Sequence, residues 1–317
     1  MKGQFHKRII GLICALFVIG ILAACGNQEK TEENSSSEKK TEETITYKAA
    51  NGDVKIPKHP KRVVLVADSY YGHFLTLGIQ PVGAPQNVFD NPFFEGKTKG
   101  TENIGDGTSA EKILELKPDL IIAWTTYEGI DQLEKIAPTV AIEYSALNTK
   151  EQLKEFGKMT GTEEKADEWL ASWDKKIAEA KPEVEKAVGD QTVALIQPYD
   201  KGINVFGSTF ARGGEILYEE FDLKAPDLIQ KEAIDSGAGY AQFSLEKLPE
   251  YAGDYIFTSP WSAEDDGTKT YNSQMWKDLP AVKNERVFEI HPIGFYFNDP
   301  ISLEGQLEFI VENLTKS

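Results

Sequence analysis

The sequence predicts an α/β protein built as two Rossmann-like lobes joined by a long, rigid α-helix, with a ligand cleft between the lobes. Three observations lead there. Beyond residue 45, short β-branched runs alternate with longer stretches of helical period. One 14-residue segment recurs without a gap in the two halves. A single apolar stripe of helical period lies between the two copies.

In chain order, the amino terminus comes first. Lys2, Lys7 and Arg8 precede an apolar run at residues 9–24, which ends in Leu22-Ala23-Ala24-Cys25. A basic start, a short apolar run and small residues before the cut describe a secretory signal peptide, shorter than the roughly 20 residues a membrane span needs. Leu-Ala-Ala-Cys resembles the lipobox, so residues 1–24 are expected to be removed and Cys25 acylated. That would anchor the chain at the membrane without crossing it. Residues 25–45 continue as a polar tract rich in Glu, Lys and Ser, too poor in apolar side chains to fold, and are expected to act as a flexible tether.

The N-terminal lobe is expected over residues 46–160, with strands at 62–66, 120–124 and 139–142. Its segment Ser109–Ile122 (SAEKILELKPDLII) matches Ser244–Phe257 (SLEKLPEYAGDYIF) at six of fourteen positions. In each copy Ser caps a short helix, a glutamate (Glu111 or Glu246) stands in its first turn where the helix dipole favours negative charge, and a strand follows. Residues 161–189 form the linking helix. Its stripe is Ala166, Trp169, Leu170, Trp173, Ile177, Val184 and Val188, and both tryptophans are read as core packing. At about 1.5 Å per residue such a helix runs the length of two lobes and leaves a nearly preformed cleft. Pro182 is expected to bend it or begin its last segment. The C-terminal lobe follows over residues 190–317, with strands at 193–196 and 255–257.

Composition excludes several functions. With 51 acidic against 34 basic residues the net charge is −17, and loss of Lys2, Lys7 and Arg8 with the signal peptide takes it to −20, which argues against nucleic-acid binding. The two cysteines, Cys14 and Cys25, lie outside any core, so no disulfide scaffold is expected. The chain has no nucleophile elbow, no His-Glu-x-x-His helix and no Walker loop, and Gly105-Asp106-Gly107 reads as a turn. Downstream of the signal peptide only His59, His73 and His291 remain, too few and too scattered for a resident metal. No enzyme, cofactor or metal site is expected.

Aromatic residues gather where strand ends should open toward a ligand. Tyr70 and Tyr71 follow the first strand, Trp124 and Tyr127 the second, Tyr144 the third, and Trp261 follows the strand at 255–257. Phe206, Phe210 and Arg212 stand in GINVFGSTFARGGE, and Phe295, Tyr296 and Phe297 in GFYFNDP. Aromatic walls with one guanidinium suit a bulky, partly apolar ligand rimmed by oxygen acceptors.

After the lipobox and tether, NGDVKIPKHPKRVV, NIGDGTSAEKILELKPDLIIAW, FARGGEILY, MWKDLPAVKNERVF and GFYFNDPISLEGQLEFI occur in order from about residue 45 to the end. Together they resemble the iron(III)-hydroxamate, ferrichrome-type siderophore-binding lipoproteins of Gram-positive bacteria, within the helix-linked class of ABC-importer binding proteins. KPDLII and WKDLPAV mark only that wider class, which also holds haem, cobalamin, citrate-type and catecholate-siderophore binders. FARGGE and FYFNDPIS point to hydroxamates.

The resemblance implies a monomeric, non-enzymatic receptor on the outer face of the cell membrane. It would hand its ferric complex to a two-subunit permease driven by a cytoplasmic ATPase. Residue by residue, it places the hydroxamate-bonding arginine on Arg212 and aromatic walls on Phe210, Tyr296, Trp124 and Tyr144. Phe206, Trp261 and Tyr71 join the ligand-contact set by their positions at strand ends. It also assigns the permease-docking carboxylates to Glu111 and Glu246. A ferric tris-hydroxamate is neutral at its centre, whereas a tris-catecholate is trianionic and calls for several bases, so one cleft arginine in an acidic chain favours the hydroxamate.

Overall fold

The computed structural model describes residues 43–316, except 145, 200 and 262–265. The signal peptide, Cys25 and the tether up to residue 42 lie outside the described residues. Strand β1 (Thr44–Ala49) already begins inside the stretch expected to be tether and pairs antiparallel with β2 (Gly52–Pro57). Ala49 pairs with Gly52, leaving Ala50-Asn51 as a two-residue turn, with Gly52 at φ 113°. The Asn51 side chain fastens this hairpin to the N-terminal sheet: its Nδ2 donates to the Thr139 carbonyl (3.0 Å), and its Oδ1 accepts from the Ala141 N–H (2.9 Å).

Two five-stranded sheets form the lobes. The N-terminal sheet runs in the order β5 (Glu102–Asn103), β4 (Gly83–Ala84), β3 (Val63–Leu65), β6 (Leu120–Trp124), β7 (Thr139–Ile142), and all its pairs are parallel. Its central strands β3 and β6 are buried, except for Trp124 at the end of β6, because helices cover both faces, whereas the edge strand β5 is exposed. The C-terminal sheet runs in the order β10 (Tyr240–Phe243), β9 (Gly202–Phe206), β8 (Val193–Tyr199), β11 (Tyr255–Thr258), β12 (Val287–Glu289). Here β8, β11 and β12 are parallel, but β9 is antiparallel to both β8 and β10. The expected parallel sheet is therefore mixed in this lobe, and the first part of GINVFGSTF is strand instead of rim loop.

The internal repeat is topological as well as sequential. Helix α2 (Ala110–Glu115) leads into β6, and the short turns Leu245–Lys247 and Leu248–Tyr251 lead into β11; β6 and β11 hold the same place in their sheets. Ser109 caps α2 by accepting from the Lys112 N–H.

Helix α1 (Tyr71–Thr76) lies in the first lobe, and α3 (Thr149–Thr160) leads to the linking helix α4 (Glu163–Val188). Asn148 and Glu151 close a capping box on α3. Helix α4 continues through Pro182 to Val188. Trp173 is buried in the C-terminal core, while Trp169 packs against the cores of both lobes and stacks on Trp173 at 5.3 Å. Each tryptophan also donates its indole N–H, Trp169 to Glu304 (3.0 Å) and Trp173 to Glu220 (2.8 Å).

A second connection crosses between the lobes. Helix α5 (Pro300–Lys316) belongs to the C-terminal lobe, yet it packs against α4, α1 and the 3-10 turn Pro92–Phe94 of the first lobe. Asn91 Nδ2 donates to Ser302 Oγ (3.0 Å), and the Phe93 ring fills a notch over Gly305, where a Cβ would come within 2.3 Å of it. Glycine is required there by the close approach of another lobe's side chain.

Candidate functional site: an arginine in an aromatic cage

Arg212 is the centre of the candidate site. Ala211, Arg212 and Gly213 take φ of 60°, 63° and 87°, three left-handed residues in a row, two of them not glycine. Each such non-glycine residue costs on the order of 1 kcal/mol or more and persists only where its surroundings hold it. They do so here: the Arg212 N–H donates to the Phe295 carbonyl (2.7 Å), the Gly214 N–H donates to the Ala211 carbonyl (3.1 Å), and a Cβ on Gly214 would collide with the Gly207 carbonyl. The turn aims the guanidinium away from the core and into the space between lobes.

Three rings surround that guanidinium. Its carbon lies 4.7 Å from the Phe206 ring centre, 5.3 Å from Tyr296 and 5.9 Å from Trp261. Nε donates to Gln197 Oε1 (3.4 Å) and Nη1 to the Phe210 carbonyl (3.3 Å), both long bonds. Burial lowers the arginine's affinity for its proton, while Tyr144, Tyr296 and Glu215 oppose that loss.

The opposite wall comes from the N-terminal lobe. Trp124 ends β6 and Tyr144 follows β7. The Trp124 indole N–H leans toward the Tyr70 hydroxyl without closing a hydrogen bond. Tyr144 meets Phe210 of the other lobe edge to face, with ring centres 5.5 Å apart, and Phe210 leans in turn on Tyr240 at 4.8 Å. A cavity of about 60 Å³, room for a few waters, lies between Tyr70, His73, Tyr144, Asn148, Ser208 and Glu215.

Two expected contacts are misplaced. Tyr71 is fully buried in the N-terminal core, with its hydroxyl against Thr101 Oγ1 (2.9 Å) and accepting from Gln80 Nε2 (2.8 Å). α1 begins at that residue, so one helical step of about 100° turns Tyr71 inward while Tyr70 lines the cavity. Phe206 is 1% exposed; because β9 is antiparallel, its neighbour Val205 pairs with Ile196 inside β8, and the ring supports Arg212 from beneath. Tyr296 and Trp261 stand around Arg212, Tyr144 meets Phe210 from the other lobe, and Trp124 stands beside Tyr70.

Glu215 is the functional candidate that sequence reading passes over. Its carboxyl lines the cavity, accepts from Asn298 Nδ2 (3.2 Å), and leaves Oε2 buried without a partner. Burial pushes it up to about 7, with Glu219 adding to the effect. His73 is buried beside it, and burial pushes that imidazole down to about 3. The other two histidines are elsewhere: His59 Nδ1 lies 3.2 Å from the Thr160 carbonyl, and His291 Nδ1 accepts from the Gly294 N–H. Among the described residues no group of three His, Cys, Asp or Glu side chains is placed to hold a metal.

Glu111 and Glu246 are both exposed. Tyr127, in the loop after β6, donates its hydroxyl to the Gly107 carbonyl (3.0 Å), which places the start of α2 at the cleft end of its sheet. Gly202, which pairs with Tyr199 at the end of β8, lies against Phe243 and Ser244, which puts Glu246 at the corresponding end of the other sheet. The Ser244 hydroxyl holds the Glu246 carboxyl below the ordinary range.

Comparisons with known proteins agree with this architecture. The model of the "Periplasmic binding protein" family matches residues 63–293. Over 315 residues, 99% of each chain, the sequence is 59% identical to the iron(3+)-hydroxamate-binding protein FhuD of Bacillus subtilis. The crystal structure of a FhuD fold-family component of a ferrichrome ABC transporter from B. subtilis superposes with a TM-score of 0.82 at 61% identity, covering 86% of this chain and 100% of that one. FhuD2 of Staphylococcus aureus with bound ferrioxamine B gives a TM-score of 0.75 at 35% identity over 81% of this chain and 99% of its own. This chain therefore belongs to the periplasmic binding protein family, among its siderophore-binding members of the FhuD fold.

Proposed function

We propose that this chain captures ferric hydroxamate siderophores outside the cell and delivers them to an ABC-type permease driven by a cytoplasmic ATPase. Arg212 carries the reading: one guanidinium is caged by rings and only weakly bonded within the protein, so its N–H groups remain available to a ligand. Such a site offers N–H donors to a few oxygen acceptors and aromatic faces to an apolar periphery. One guanidinium does not balance the three negative charges of a ferric tris-catecholate. The relatives named for ferric hydroxamates support the same ligand class.

The chelate is larger than the existing cavity, so its entry separates Tyr144 from Phe210 and leaves one ring on each side of it. No described helix is long and apolar enough to cross a membrane, and attachment is assigned to acylated Cys25, outside the described residues.

Intrinsic tryptophan quenching is the test, since Trp124 and Trp261 stand in the walls. Titration with ferrichrome, ferrioxamine B, ferric aerobactin and a ferric catecholate should show tight binding of the hydroxamates and much weaker binding of the catecholate. Catecholate binding of equal or greater affinity overturns the reading.

A further inference from the structure

Four large apolar side chains are notably exposed among the described residues: Leu114 (58%), Trp261 (46%), Tyr240 (41%) and Leu147 (39%). Three of them rim the cleft. Leu147 lines the cavity, Tyr240 leans on Phe210, and Trp261 stands beside Arg212. Leu114, the most exposed, does not. It lies on α2, where Ile113 supplies the buried contact and Leu114 turns outward.

Its place on that helix is informative. Leu114 is three residues beyond Glu111, and side chains at that spacing are neighbours on one face. Glu111 has no ion pair among the described residues. The gap-free repeat makes Pro249 the counterpart of Leu114 in the other lobe, exposed but small, with Lys247 and Glu250 paired beside it (2.8 Å). The two lobes thus present equivalent carboxylates with different surroundings.

We propose that Leu114 is an apolar anchor that docks with Glu111 onto the permease, against a surface carrying a cationic group beside an apolar hollow. The N-terminal lobe binds through charge and apolar burial together, the C-terminal lobe through the charge of Glu246. This rests on the reading of Glu111 and Glu246 as docking carboxylates. Burying an exposed leucine in an apolar hollow adds affinity that is insensitive to salt, unlike that of the glutamate.

The test uses cells in which the full lipoprotein is the sole receptor, with uptake of radio-iron-loaded ferrichrome as readout. Leu114→Ser should lower uptake about fivefold at limiting receptor, and Leu114→Met should restore it. Melting temperature and ferrichrome titration should match the wild type, because Leu114 is neither core nor cleft. In vesicles carrying the permease, the Leu114→Ser defect should persist at high salt while the Glu111→Ala defect shrinks. Normal uptake by Leu114→Ser, with uptake lost in the Glu111→Ala, Glu246→Ala double variant, overturns the anchor and leaves the docking carboxylates standing. Normal uptake in both overturns the docking surface altogether.

Discussion

Tyr144 and Phe210 touch across the mouth of the cleft, one ring from each lobe, edge to face at 5.5 Å. Such a pair is worth roughly 0.5–1.5 kcal/mol beyond its buried area. In the proposed mode of capture a bound chelate would replace this contact with two of its own. Tyr144→Leu and Phe210→Leu should each weaken ferrichrome binding about tenfold in a quenching titration. Tyr71→Phe, which removes only core hydrogen bonds, should lower the melting temperature and leave affinity unchanged. A loss of affinity on Tyr71→Phe would return that residue to the site.

Arg212→Ala should weaken ferric hydroxamate binding by roughly 1.5–3 kcal/mol, the usual worth of a hydrogen bond to a charged group. Circular dichroism should be unchanged, because the left-handed turn is held by backbone bonds to Phe295 and Gly214 and not by the guanidinium. Unchanged affinity with intact structure would remove Arg212 from the ligand contacts.

Glu215 makes stability depend on pH in a defined sense. Its carboxyl titrates near 7 in the fold and in the ordinary carboxylate range when unfolded, so the folded state holds the proton more tightly. The stability this confers is fully present below the unfolded value and is lost as pH rises through about 7. Asp68 and Asp299, each pushed up to about 6 by burial, act in the same direction in wild type and variant alike. Glu215→Gln should therefore match the wild type near pH 4 and exceed it at pH 8 by roughly 3 kcal/mol. Denaturant melts at the two pH values check this, and an equal difference at both would show that the carboxyl is not buried as its acid.

The Glu111→Ala, Glu246→Ala double variant should leave ferrichrome titration curves unchanged and sharply reduce radio-iron uptake, each single change being intermediate. Loss of ligand binding in the double variant would place these carboxylates in the cleft.

Cys25→Ala should move the mature protein from the membrane fraction to the medium, since one acylated cysteine is the anchor the sequence offers. A variant that stays with the membrane would reveal another attachment.

The fold was legible where periodicity speaks. The stripe from Ala166 to Val188 appears as one helix, and the repeated Ser-x-Glu-Lys segments lead into equivalent strands. Strand direction was not legible: residues 202–206 have the same pattern whether β9 runs with β8 or against it, and the direction is set by the pairing of Tyr199 with Gly202. The β1–β2 hairpin had a signal in Asn51-Gly52 between alternating runs, which went unread. In the site, residue types at strand ends located Arg212 and its rings. The choice between Tyr70 and Tyr71 depended on where α1 begins, and a buried Glu215 looks in sequence like any surface acid.

The bond from Asn91 to Ser302 joins positions 211 apart in sequence. During synthesis the first lobe and the linking helix emerge long before α5 does, and until then the surfaces around Phe93 and α1 lack the cover that α5 gives them. Closing so distant a contact is slow, and the waiting intermediate shows apolar surface to other chains. The arrival of α5 therefore sets the moment at which the protein becomes safe from aggregation, and a chain cut before α5 should be a sticky, protease-sensitive half instead of a smaller receptor.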